Sequence, residues 1–530
     1  MTGNHGVGTW IERRARVAPD RVALIHGDAR RTYAELAGRV RRLARALEGL
    51  GVRRADRVAW LGPNHPAFLE SLFATATLGA VLTPINHRLE PDAIEAICED
   101  AGPRVVLLDE SLAGLRLPPA VAAAITVGRS SRDETPYERL IAETPAEPVD
   151  RAVAPDDLCL LPFTSGTTGP PKGVMLTHGN VTWNVINCLS CIDFRSDDVT
   201  IAAAPFFRTG GTGVNVLPVL FKGGTVVIPR STDPGETFDL VERHRATIGF
   251  GNPDLLDALT RSPRWRTARL TSLRIFITGG APVPERLLRT CHERGVNVLQ
   301  GYGLSEAAPL VSVLDAPNAP RKIGSAGRPA LFVDIRIAGH RGNVAPAGEV
   351  GELLVRGPNV MAGYWNRPDA TRRAIGEGGW LRTGDAARID EEGFLFIVGR
   401  TEDAYVSSGK VVHPGVVERV LLQHAAVAEV CVLGGDDGAV ACVVLAAGTP
   451  AEVEAELWAL CARSLPVHER PAGIEFVASL PRNPAGKIVR HRLRRQRDGA
   501  ARGEPPGRAR TTPPPTQARR PGPELRIRSG

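Results

Sequence analysis

Two rhythms of apolar and polar residues alternate along the start of the chain. Short apolar runs rich in aliphatic side chains occur at Val22 to Ile25, Val58 to Leu61 and Val81 to Ile85. Between them, around Tyr33 to Leu50 and Ala67 to Leu78, the apolar positions follow a helical pattern. Strands alternating with helices predict parallel sheets covered by helices. The theme returns at Val199 to Ala204, Thr225 to Ile228 and Leu273 to Thr278. From Val333 to Val355 and at Phe394 to Val398 the segments are short and turn-rich, which suits a small β subdomain. Beyond Gly399 a second α/β unit is read from Val416 to Leu422, Val427 to Leu433, Ala439 to Leu445 and Glu452 to Ser464.

Length and composition then narrow the class. A chain of 530 residues is too long for one compact core and predicts two to four units. Its 43% hydrophobic content is ordinary for a globular protein. No apolar run approaches the roughly 20 residues that cross a bilayer, so no integral membrane segment is expected. Met1 to Arg16 lacks the apolar stretch of a secretory leader, and a cytoplasmic enzyme is the expectation.

The net charge of +7 invites a nucleic-acid reading until it is located. Lys487 to Gly530 holds 13 Lys and Arg against 3 Asp and Glu, which leaves residues 1–486 at −3. The excess is a basic end, and no nucleic-acid partner is expected. Residues 498–530 are rich in Pro, Gly and Arg and are expected to be a disordered tail. Eight scattered cysteines form no disulfide framework, and Cys188 with Cys191, lacking a second pair, reads as structural thiols.

Chemistry concentrates first in Phe163-Thr164-Ser165-Gly166-Thr167-Thr168-Gly169-Pro170-Pro171-Lys172-Gly173-Val174. Glycines let backbone N–H groups approach phosphate oxygens, hydroxyls donate further bonds and Lys172 supplies a point charge. A Walker phosphate loop needs Gly-Lys-Ser/Thr, whereas here Pro171 precedes Lys172 and Gly173 follows it. The run predicts a nucleotide site that is not of the P-loop kind.

Further motifs follow in order: Gly279-Gly280-Ala281-Pro282, Gly301-Tyr302-Gly303-Leu304-Ser305-Glu306, Trp380-Leu381-Arg382-Thr383-Gly384-Asp385, Gly399-Arg400 and Pro481-Arg482-Asn483-Pro484-Ala485-Gly486-Lys487-Ile488. With the opening run, these resemble the adenylate-forming superfamily of acyl-CoA synthetases, aryl-CoA ligases, luciferases and adenylation domains. The resemblance spans about residues 8 to 495. It implies an α/β fold with a large N-terminal domain of stacked, helix-covered sheets and a small β subdomain, 1–399. A hinge at 400–402 and a small mobile α+β C-terminal domain, 403–497, would follow.

The same resemblance implies the site. Thr164, Ser165, Gly166, Thr167, Thr168 and Lys172 would hold the triphosphate of ATP. Gly280, Ala281, Pro282, Gly301, Tyr302, Gly303 and Ser305 would surround the adenine. Asp385 would take the ribose hydroxyls, Arg400 would contact ribose or phosphate, and Glu306 would ligate Mg²⁺. Lys487 would serve the attack of the acid on the α-phosphate. Gly409, in Ser407-Ser408-Gly409-Lys410, would border the channel for the coenzyme A thiol after the small domain turns.

The implied reaction converts a small carboxylic acid and ATP to acyl-AMP and pyrophosphate, then transfers the acyl group to CoA. An acyl carrier protein is the alternative acceptor, and a noncatalytic acyl-nucleotide binder is the alternative from another class. Either a monomer or a homodimer is compatible with the sequence.

Trp183, Phe207, Arg208, Phe250 and Asn252 are the candidates for the acid pocket. Arg208, in Pro205-Phe206-Phe207-Arg208-Thr209-Gly210-Gly211, stands where most of the family carries His; a guanidinium there could hold an anionic or strongly polar acid by a bidentate pair, or equally be a neutral replacement pointing out of the pocket. Two further departures lie in the small domain. Gly434 to Ala439 replaces a longer family segment, and Val416 stands where the family has Glu, with Glu418 remaining. The hinge position carries Glu402 where Asp or Lys is usual.

Overall fold

The computed structural model describes residues 3–128, 136–149, 151–164, 170–231, 233–339, 343–435, 438–446, 448–449, 453–482 and 488–501. The chain separates into two compact units, Met1–Ala478 and Ser479–Gly530.

The first unit is built on two large sheets. In a nine-stranded sheet the strands run in the order Arg328–Pro329, Leu310–Val313, Val298–Gly303, Ile275–Gly279, Ile248–Gly251, Val199–Ile201, Thr225–Ile228, Val22–His26 and Ala29–Thr32. The six from Val298–Gly303 to Val22–His26 are parallel, and antiparallel strands close both edges. The second sheet has a parallel centre of Leu158–Leu160, Val81–Ile85, Arg57–Leu61, Val105–Asp109 and Ala123–Val127. Lys172–Thr177 and then Gly363–Tyr364 extend it antiparallel. The strands predicted from apolar runs are present, so the α/β expectation holds.

One continuous apolar core contains residues of both sheets and of the helices Tyr33–Gly49 and Pro66–Leu78. Pro66–Leu78 starts cleanly because Pro66 sits in the first turn, where its missing N–H costs nothing, and the His65 ring accepts the Ala67 N–H at 3.1 Å. Twelve of its thirteen residues are buried, Glu70 among them. A buried carboxylate is tolerable only when paired. Arg39 Nε reaches Glu70 Oε1 at 2.7 Å, Arg31 Nη1 reaches the same oxygen at 3.1 Å, and the Tyr137 hydroxyl donates to Oε2. The two guanidiniums outweigh burial and hold the Glu70 carboxyl down to about 2.

An antiparallel sheet of Asp334–Ala338, Gly351–Arg356, Leu381–Ile389 and Leu395–Arg400 forms the small β subdomain. Past it come the hairpin Tyr405–Ser407/Lys410–Val412 and a three-stranded sheet of Val427–Leu433, Val440–Leu445 and Gly473–Phe476. The helices Pro414–Leu421 and Val453–Ser464 pack on that sheet through Val417, Leu421, Val453, Leu457 and Cys461. Glu418, the acid left of the family's pair, accepts the Val432 N–H at 2.8 Å and so ties helix to strand. In the shortened connection Gly434 to Ala439, Asp436 and Asp437 lie outside the described residues.

In the second unit Arg482 and Ile488 pair across an antiparallel bridge, and the Val489 N–H donates to Pro481 O at 2.8 Å. Residues 483–487 between them, Lys487 included, lie outside the described residues. The helix Arg490–Ala501 follows, and the basic tail from 502 onward lies outside them too. Among the described residues no helix is long and apolar enough to cross a membrane.

Candidate active site

The opening motif folds as a strand, a connection and a strand. Phe163–Thr164 pairs antiparallel with Lys172–Thr177, Thr164 opposite Lys172, and the Thr164 hydroxyl reaches Lys172 O at 3.4 Å. Ser165, Gly166, Thr167, Thr168 and Gly169 lie outside the described residues. What is fixed is the frame: both ends of the hydroxyl-rich segment are held in one ladder, beside the edge strand Gly363–Tyr364.

That edge strand supplies a residue the sequence reading missed. The Tyr364 hydroxyl donates to Glu306 Oε1 at 2.8 Å, while Lys172 Nζ lies over the same ring, 4.5 Å from its centroid. Burial and the Glu306 charge push the phenol well above its usual range, so it remains a donor. The Glu306 backbone is held by the same segment, its carbonyl accepting the Met361 N–H at 2.9 Å. The available sequence signal was Gly363-Tyr364-Trp365, a glycine before two aromatics on a short apolar run.

The second constellation stands at the strand ends of the nine-stranded sheet. Gly279 and Gly301 are direct partners in adjacent parallel strands, and Gly280, Ala281 and Pro282 leave the first of them exposed. At Gly303 a Cβ would meet Pro309 O at 2.1 Å, so this close backbone approach requires glycine. The Tyr302 hydroxyl donates to Asp385 Oδ2 at 2.6 Å. Asp385 Oδ1 accepts from Arg400 Nη1 at 2.8 Å, and the two residues are cross-strand partners. Thr383 braces the pair, its hydroxyl accepting the Asp385 N–H at 3.0 Å and donating to Leu353 O at 2.8 Å.

A hydroxyl contact links this constellation to the acid-pocket segment: Ser305 Oγ and Thr209 Oγ1 are 3.1 Å apart. Thr209 begins the short helix Thr209–Gly213, which Arg208 precedes. Arg208 is half-buried, and burial together with the Arg88 charge lowers its pKa, against the opposing pull of Asp254. Phe250 lies against Gly210, where a Cβ would stand 3.4 Å from its ring. Phe207 meets the His87 ring edge-on at 5.7 Å.

The remaining two pocket candidates have structural partners. Trp183 packs on Phe332 with ring centroids 4.9 Å apart. Asn252 caps the helix Pro253–Arg261, accepting the Leu255 N–H at 3.1 Å. Cys188 and Cys191 direct their thiols to the carbonyls of Gly213 and Asn187, consistent with structural thiols.

Gly409 occupies the second position of a two-residue hairpin turn, with φ 49° at Ser408 and 73° at Gly409. Such a turn needs positive φ at both positions, so the turn itself gives a reason for glycine. A Cβ there would meet no heavy atom within 4 Å among the described residues. Among the described residues no group of three or more His, Cys, Asp or Glu side chains gathers as a metal cage.

A family described as AMP-binding enzyme matches residues 11–365, and one described as AMP-binding enzyme C-terminal domain matches residues 416–487. A feruloyl-CoA synthase of an Amycolatopsis species is 43% identical over 93% of this chain and 99% of its own. An indoleacetate–CoA ligase of Aromatoleum aromaticum is 36% identical over 92% and 97%. Among solved structures, the anthranilate CoA ligase AuaEII in complex with anthranoyl-AMP superposes with a TM-score of 0.86 at 27% identity, covering 94% of this chain and 98% of its own. O-succinylbenzoate coenzyme A synthetase from Bacillus subtilis, in complex with ATP and magnesium ion, gives a TM-score of 0.82 at 31% identity over 92% and 99%.

Proposed function

The chain belongs to the AMP-binding enzyme family, and from that premise we propose that it is an ATP-dependent acid–CoA ligase acting on an aromatic carboxylic acid. In the first half-reaction a carboxylate oxygen attacks the α-phosphorus of ATP. The bond from that phosphorus to the α,β-bridging oxygen breaks, and acyl-AMP and pyrophosphate form. In the second, the CoA sulfur attacks the acyl carbon, the thiol loses its proton, and AMP leaves as the thioester forms.

The chain Tyr302–Asp385–Arg400 carries this reading. Asp385 has one oxygen on a phenol and the other on a guanidinium, and each oxygen keeps a lone pair for a ribose hydroxyl. The Tyr302 ring beside Gly301 and Gly303 offers a flat face for a base. Lys172, Thr164 and the segment Ser165, Gly166, Thr167 and Thr168 are assigned to the triphosphate.

Glu306 is assigned to Mg²⁺, which would draw charge from the phosphoryl oxygens. A nucleotide-borne Mg²⁺ is usually held by one or two carboxylates and the phosphates, so a single glutamate suits the site. Lys487 is assigned to the first half-reaction and Gly409 to the second, with a hinge at 400–402 between 1–399 and 403–497 allowing the exchange.

The aromatic class rests on the relatives named above, whose acids all carry a ring, and on Phe207 and Phe250 beside the Arg208 segment. Arg208 is assigned to a polar substituent of that acid. Pyrophosphate release measured over a panel of arylpropenoic, arylacetic, benzoic and straight-chain acids tests the reading. Aromatic acids should give the highest kcat/KM, and equal or better turnover of straight-chain acids would overturn the class.

A further inference from the structure

We infer that Tyr364 is a positioning residue that sets the metal-binding glutamate and the phosphate-binding lysine against each other, and so tunes the site for Mg²⁺-bound rather than free ATP. The inference rests on the nucleotide assignments of Glu306 and Lys172 made above. Tyr364 touches both. The phenol hydroxyl engages Glu306 Oε1 at 2.8 Å, and the ring face takes Lys172 Nζ at 4.5 Å.

Three observations give the contact its meaning. First, the ring is fixed by backbone. Tyr364 pairs with Val174, two residues from Lys172, and its own N–H donates to the Thr371 hydroxyl at 2.8 Å. Second, the glutamate is held at both ends. Its carbonyl accepts Met361 N–H and its carboxylate takes the phenol, so the side chain has little freedom left to search for a metal. Among the described residues no hydrogen bond is made to Oε2, so that oxygen is the freer of the two to ligate.

Third, the lysine and the glutamate are opposite charges assigned to one polyphosphate. Were they to pair directly, each would cancel the charge the ligand needs. The aromatic ring holds the ammonium on its negative face and presents its polar tip to the carboxylate, so both charges are satisfied without being spent on each other.

The two contacts separate by substitution. Tyr364→Phe keeps the ring under Lys172 and removes the bond to Glu306; Tyr364→Leu removes both. Binding of a non-hydrolysable ATP analogue is measured by calorimetry on the full-length protein, with Mg²⁺ and with chelator, and thermal unfolding of each variant is recorded alongside. A hydrogen bond to a charged group corresponds to about tenfold or more in affinity. Tyr364→Phe should therefore weaken binding of the Mg²⁺ complex about tenfold, leave the metal-free affinity within about twofold, and raise the Mg²⁺ concentration for half-maximal pyrophosphate release. Tyr364→Leu should weaken both forms.

Equal loss in both forms for Tyr364→Phe, or no loss in either, would overturn the positioning role. Absence of analogue binding by the wild-type protein would instead overturn the nucleotide assignment on which it stands, and the inference with it.

Discussion

The Tyr302 hydroxyl donates to Asp385 Oδ2 at 2.6 Å and thereby joins the end of a parallel sheet to the middle of an antiparallel one. Neither residue could be placed beside the other by sequence spacing, since 83 positions separate them. The bond turns two motifs into one surface.

Removing the carboxylate should therefore cost more than removing the phenol. Asp385→Ala leaves Tyr302 and Arg400 without their shared acceptor and removes the acceptor assigned to ribose. At about 1.5–3 kcal/mol per bond to a charged group, kcat/KM for ATP should fall about a hundredfold. Tyr302→Phe keeps the flat face and should lose only about tenfold. Initial-rate pyrophosphate release checks the order, and a larger loss for Tyr302→Phe would be inconsistent with the ribose assignment.

The folded frame was legible where one local signal sufficed. Val22 to Ile25, Val58 to Leu61 and Val81 to Ile85 are strands because aliphatic runs between helical patterns have few other ways to bury themselves. The helix at Tyr33 and the small-domain strand Val427–Leu433 were equally clear, with ends within a residue or two. Pairing across sheets was not legible. Tyr364 stayed hidden because its importance lies in an edge strand that joins Lys172–Thr177 from almost two hundred residues away. Asn252, a candidate for the acid pocket, also caps a helix, a role its Asn-Pro start already signals. Glu418 was marked as a remnant of a pattern, and its work is to bind a strand N–H.

Gly409 has two possible reasons to be glycine, and they part under substitution. Asparagine tolerates positive φ better than other side-chain-bearing residues, so Gly409→Asn should keep the hairpin turn and cost less than about 1 kcal/mol in stability. If the position also borders the thiol path, acyl-AMP formation should stay within about twofold of wild type while thioester formation falls about tenfold or more. The two half-reactions are read separately, by pyrophosphate and by acyl-CoA. Equal retention of both would leave only the turn as the reason for glycine.

The buried Glu70 should govern acid stability. Its folded pKa, held down to about 2, lies below the ordinary value of 4.5, so its ion pairs stabilise the fold fully above about pH 4.5. That contribution is lost progressively as pH falls from 4.5 toward 2. Glu70→Gln removes the buried carboxylate between Arg31 and Arg39, which keep Glu138, and should destabilise by about 2–3 kcal/mol at pH 7. The penalty should shrink in acid, where protonation of Glu70 in the unfolded chain erodes the wild-type advantage. Thermal unfolding of both proteins between neutral pH and pH 3 measures it; a constant difference across that range would remove Glu70 as the cause.

The central chemical claim is that a carboxylate oxygen bonds to the α-phosphorus of ATP and departs with AMP. Incubating the protein with ATP, Mg²⁺, CoA and an aromatic acid labelled with oxygen-18 in its carboxylate tests this directly by mass spectrometry of the products. One labelled oxygen should appear in AMP, in step with acyl-CoA and pyrophosphate. Unlabelled AMP, or ADP and phosphate as the nucleotide products, would contradict the mechanism.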